Sequence, residues 1–105
     1  MTAADDRVTC RTPKTGGQPT RILRWKFDAM RDAILASVSA DEEGTPFREL
    51  RAGISAVLDR SLDAARREAF GSVGWYLMTV KLELEVRGEI ERVPGASPQR
   101  LRRVG

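Results

Sequence analysis

From residue 23 onward, apolar residues fall into a helical rhythm. Leu23, Phe27, Met30, Ile34 and Val38 recur at steps of four, three, four and four, a spacing that gathers them on one face. It predicts a first helix from about Lys26 to Val38. The helix should stop at SADEEGTP, where Gly44 and Pro46 are loop residues. Thr45 directly before Pro46 reads as a helix cap followed by a first-turn proline, whose missing N–H costs nothing there. Phe47, Leu50, Ile54, Val57 and Leu58 then mark a second helix from about Pro46 to Leu62. Residues 63–71, DAARREAFG, hold one strong apolar anchor, Phe70, and read as a turn or a frayed helical end.

A third helix is expected from about Gly74 to Arg87, with Ser72 as its cap and Gly88 as its left-handed stop. Val80, Leu82, Leu84 and Val86 also alternate with Lys81, Glu83 and Glu85, which is the period of a strand. Helix is preferred because the segment runs back through Leu77 without a breaker and is built from good helix formers. As a helix it carries two apolar stripes. Val73, Leu77, Val80 and Leu84 share one side, and Trp75, Met78, Leu82 and Val86 share the other. The first stripe can meet the other helices; the second fits a second subunit, or cover by the leader or the first helix.

After Gly88, residues 89–93 and 99–104 alternate and are joined by PGASP, whose two prolines and glycine enforce a reversal. A hairpin is expected, with Ile90 and Leu101 pointing inward and Arg100 and Arg102 pointing away. Residues 1–21 show no apolar period and contain Pro13, Gly16, Gly17 and Pro19. They read as a disordered basic leader, ahead of a single domain over residues 22–105.

A chain of 105 residues, 41% hydrophobic and 31% charged, suits one soluble domain. Its net charge of +3 is unevenly spread. Residues 1–27 and 92–105 each carry a surplus of four positive charges, while residues 28–91 carry an excess of five negative ones. Attraction to phosphate would therefore come from the ends. No apolar run is long enough to span a bilayer and no secretory signal is evident, so no membrane partner and a cytoplasmic location are expected.

Histidine is absent and the one cysteine, Cys10, lies in the leader. A hydrolytic triad is thereby excluded, and no metal or cofactor is expected. The carboxylates Asp41, Glu42, Glu43, Glu83 and Glu85 read as solvated surface. With no titratable group arranged for catalysis, the chain reads as a non-enzyme. The Trp75–Tyr76 pair suits stacking on a base or anchoring in a core or interface, the latter being the commoner use.

Three helices followed by a two-stranded hairpin resemble the winged helix-turn-helix superfamily. LELEVRGEIERV carries the local match, with Leu84, Gly88 and Ile90 at the helix end, the stop and the start of the wing. The tract GWYLMTVKLELEVRGEIERVPGASPQRLRR also resembles the C-terminal half of a small bacterial protein family without an assigned function. The superfamily resemblance implies a mostly α fold with a small β-hairpin (α+β), in which the third helix faces double-stranded DNA through Thr79, Lys81 and Arg87. It implies that the wing presents Arg92, Arg100, Arg102 and Arg103. Glu83 and Glu85 on the same helix would repel phosphate, which makes the wing the better contact. Two readings follow: a DNA-binding protein held through its wing, or a partner-docking or homodimerising module with Trp75, Met78, Leu82 and Val86 at its interface.

Overall fold

The computed structural model describes residues 6–13 and 17–104. Within them the chain is α+β, with four helices and two small antiparallel sheets. The order is β1 (Arg7–Cys10), β2 (Thr20–Leu23), α1 (Arg24–Ser37), β3 (Thr45–Pro46), α2 (Phe47–Ser61), α3 (Ala64–Phe70), α4 (Val73–Arg87), β4 (Ile90–Arg92) and β5 (Arg100–Arg103). One sheet pairs β1 with β2; the other has the order β3-β5-β4.

The expected helical faces are the buried ones. Phe27, Met30 and Ile34 of α1, Leu50, Ile54 and Leu58 of α2, and Val73, Leu77, Val80 and Leu84 of α4 meet in one core. α1 packs on both α2 and α4. Residues 80–86 are helical despite their strand-like alternation, because α4 runs unbroken from the cap to the stop. Ser72 Oγ accepts the Trp75 N–H at 3.1 Å. Gly88 ends the helix with φ +77°, a conformation that costs a residue with a Cβ about 1–2 kcal/mol.

Several expectations need correction. The leader is not wholly unstructured: Arg7–Cys10 and Thr20–Leu23 pair in register from Arg7↔Leu23 to Cys10↔Thr20. Strand alternation turns Val8, Cys10 and Ile22 into the core. Of the rest of the expected leader, residues 1–5 and 14–16 lie outside the described residues. Residues 64–70 form a separate helix, because Asp63 caps it by accepting the Arg66 N–H at 2.8 Å and Phe70 anchors it fully buried.

Thr45 does not cap α2. Its Oγ1 accepts the Ser39 N–H at 2.9 Å, and Thr45–Pro46 pairs with β5 opposite Leu101 and Arg100. Gly44, at φ +68°, makes that pairing possible, since a Cβ there would lie 2.5 Å from the Leu101 carbonyl oxygen. The expected hairpin is present, with Ile90 and Leu101 buried beneath it and Ile90 opposite Arg103.

Candidate functional site

Two surfaces bear the residues of interest: the β4–β5 hairpin and the exposed side of α4. On the hairpin, the four arginines are engaged within the fold. Arg92 Nε donates to Glu85 Oε1 at 2.9 Å, and Arg102 Nε pairs with Glu91. Arg100 donates to the carbonyls of Glu43 at 2.6 Å and Gly44 at 3.2 Å, Arg102 Nη1 to that of Glu42 at 3.1 Å, and Arg103 Nε to that of Val38 at 2.9 Å. Arg100 and Arg102 do leave the core side of β5, as alternation requires. They then fold back onto the 42–44 loop, because β3 brings that loop beside β5 and its carbonyls need donors.

The polar positions of α4 separate. Thr79 is half-buried. Lys81 is 1% exposed, with Nζ 2.7 Å from Glu85 Oε2 and 5.3 Å from the centre of the Phe47 ring. Burial holds the Lys81 ammonium below its ordinary pKa, while Glu85 acts in the opposite direction. Lys81 is therefore an interior residue and is not displayed to a nucleic acid. Arg87 donates to Glu83 Oε2 at 2.7 Å and lies over the Phe27 ring at 4.7 Å.

Glu83 is not the solvated carboxylate expected from the sequence. It is 1% exposed and accepts from the backbone N, Nε and Nη2 of Arg11 at 2.8, 3.0 and 2.7 Å. Burial alone would raise its pKa, but these hydrogen bonds, with that from Arg87, bring it down to about 2. Cys10, one residue from Arg11, is buried, and its thiol is pushed up to about 11, chiefly by desolvation and then by the Glu83 charge. No short motif marks this cluster. The alternation Val8–Cys10, opposite Ile22, is the signal that could have located the strands that build it.

The second apolar stripe of α4 lies on the surface. Trp75 is 48% and Met78 44% exposed, and Leu82 and Val86 are half-buried. Trp75 is the outer end of a chain of rings. It meets Tyr76 edge-on at 4.8 Å, Tyr76 meets the buried Phe70 at 5.0 Å, and Phe70 meets Trp25 at 6.1 Å. At the start of α4, the Arg51 guanidinium lies against Gly74, 3.5 Å from where a Cβ would stand. Sequence reading passed over Arg51, because a lone arginine on a helix carries no local signal. At the other end, Leu82 borders a groove of about 720 Å³ lined also by Thr12, Pro13, Glu85, Ile90 and Arg92.

Among the described residues, no group of three or more His, Cys, Asp or Glu side chains could hold a metal ion. No helix there is long and apolar enough to cross a membrane. In comparison with known proteins, a family model described as a family of unknown function matches residues 7–101. No curated protein and no solved structure matches significantly.

Proposed function

The chain belongs to that family of unknown function (DUF6958), and we propose that it is a non-enzymatic interaction module of winged-helix type that docks a partner protein on the exposed face of α4. The element order supports the winged arrangement. A strand between the first two long helices, β3, pairs beside the hairpin that follows the last helix, in the order β3-β5-β4. In this reading α3 is a short extra helix between α2 and the helix that would otherwise face DNA.

One contrast carries the docking reading. The hairpin arginines that a wing would offer to phosphate are already bound to carboxylates and carbonyls, whereas Trp75 and Met78 remain about half exposed on α4. Arg92 and Arg102 are paired with carboxylates and add little net field at a distance, so the hairpin is a weaker attractor than its four arginines suggest. Half-exposed aromatic and thioether side chains are instead the usual anchors of protein interfaces.

A second reading, contact with the backbone of duplex DNA, draws on the exposure of Arg92 and Arg103, which keep N–H donors beyond those used internally. Fluorescence anisotropy with a labelled random-sequence duplex at low and high salt separates the two. The docking reading expects no saturable binding at low salt. Saturable binding that weakens steeply with salt and is lost in Arg92→Ala and Arg103→Ala would put the duplex reading in its place.

A further inference from the structure

Building on the docking reading, we infer that the partner presents an acidic amphipathic helix, seated with apolar side chains on Trp75, Met78 and Leu82 and carboxylates toward Arg51 and Arg48. Three features of the surface select this occupant.

The first is the rigidity of the anchor. Trp75 is braced by Tyr76, which is braced by the fully buried Phe70. A side chain held this way loses little freedom when it is covered, which is the condition for a strong anchor. Met78 lies one turn farther along, and its flexible thioether can fit a varied partner side chain. Trp75 and Leu82 are separated by seven residues, about 10 Å along the helix. That length matches about two turns of a partner helix whose apolar residues repeat at three- and four-residue steps.

The second feature is charge. Gly74 and Met78 are four residues apart on one helix face, so the Arg51 guanidinium resting on Gly74 sits one turn from Met78. Arg48, three residues before Arg51 on α2, is exposed on the same side of that helix. Among the described residues, neither has a carboxylate within ion-pair distance, in contrast to Arg92 and Arg102 of the hairpin. Arg51, through its contact with Gly74, flanks the N-terminal, electropositive end of α4. Anionic groups are therefore what this end of the stripe lacks.

The third feature is size and continuity. Trp75 and Met78, each about half exposed, offer roughly 200–300 Å² of apolar surface, well under the ~800 Å² per partner of a stable dimer interface. A second copy of the chain is thus a poor match, and a short segment is a good one. A nucleic acid could satisfy Arg48 and Arg51 and stack on Trp75, but its backbone would then run along the apolar Met78 and Leu82. Apolar side chains beneath phosphates disfavour it and suit a helix whose charges are confined to one end.

The test is a selection of random peptides, about four helical turns long, displayed on phage against the intact protein, with labelled single-stranded and duplex oligonucleotides run in parallel. The inference expects enriched peptides with apolar residues at helical spacing and an excess of Asp and Glu. Their binding should fall roughly tenfold with Trp75→Ala, Met78→Glu or Arg51→Glu and weaken as salt rises. Far-UV circular dichroism of the three exposed-site variants verifies that each is folded. Peptides that depend on Trp75 but carry no acidic excess and ignore Arg51→Glu would overturn the acidic-partner inference and leave the docking module standing. Absence of any Trp75-dependent peptide, whether or not an oligonucleotide is retained, would overturn both.

Discussion

Arg11 grips Glu83 with three N–H groups, one from the backbone and two from the side chain, at 2.7–3.0 Å, across 72 residues of sequence. The contact fastens the β1–β2 hairpin to the middle of α4. Arg87 completes the arrangement from the next turn of the same helix. A carboxylate 1% exposed is tolerable only because its oxygens are occupied by charged donors.

Removing that carboxylate should loosen the hairpin. Glu83→Ala is expected to cost about 2–3 kcal/mol in urea unfolding, somewhat less than opening a fully buried pair, because a partly exposed Arg11 can be rehydrated. The same pair makes stability depend on acid. Folding lowers the Glu83 pKa from 4.5 to about 2, so its contribution is complete above the ordinary value and is lost as pH falls toward the folded one. Unfolding curves from about pH 6 to about pH 2 should therefore show wild type and Glu83→Gln converging in stability as pH drops. A gap that stayed constant would remove the ionised pair from the account.

Cys10 gives an independent report on the hairpin. Its thiol is buried and raised to about 11, so near neutral pH the native protein should react with a disulfide reagent roughly a hundredfold more slowly than the urea-unfolded chain. Glu83→Ala should speed the native reaction, since labelling then follows opening of the strand that carries Cys10. Equal native rates in the two proteins would mean that the Arg11–Glu83 contact does not hold that strand.

The parts of this fold that could be read from sequence are those whose energetics are local. Three- and four-residue apolar steps mark α1, α2 and α4, and Gly88 and Ser72 mark the ends of α4 in chemical terms. Ile90 and Leu101 are identifiable as anchors because a proline-bounded turn separates two alternating segments. The β1–β2 hairpin was hidden because each strand has only four residues and its support comes from distant groups, Glu83 above all. α3 was hidden because seven residues with one buried anchor give no period, although Asp63 is a cap of a recognisable kind. Of the candidate site, the Trp75–Met78–Leu82–Val86 stripe was visible as a second apolar face. The burial of Lys81 was not, since its partner Phe47 comes from another helix.

Arg100 tests whether the hairpin arginines are structural. Its two hydrogen bonds close the 43–44 loop over β5, and net contributions of about 0.5–1.5 kcal/mol per bond imply a loss of roughly 1–2 kcal/mol in Arg100→Ala. Arg100→Lys should recover only part of it, because an ammonium cannot reproduce the fork that reaches both carbonyls. A stability unchanged by Arg100→Ala would show that the side chain is free for an outside partner.

The oligomeric state bears most directly on the α4 stripe. If its exposed apolar residues mainly served self-association, Trp75→Ala should turn a dimer into a monomer. If they await a different partner, the wild-type chain should already sediment as a monomer of about 11.7 kDa at micromolar concentration. The surface favours the monomer: two half-exposed side chains supply too little area for a stable symmetric pair. Arg48 and Arg51 also lie at one end of the stripe, and an antiparallel copy would bring them toward Glu85, already neutralised by Lys81 and Arg92. Sedimentation velocity on wild type and Trp75→Ala decides the point. A wild-type dimer dissolved by that substitution would assign the stripe to a second copy of the chain.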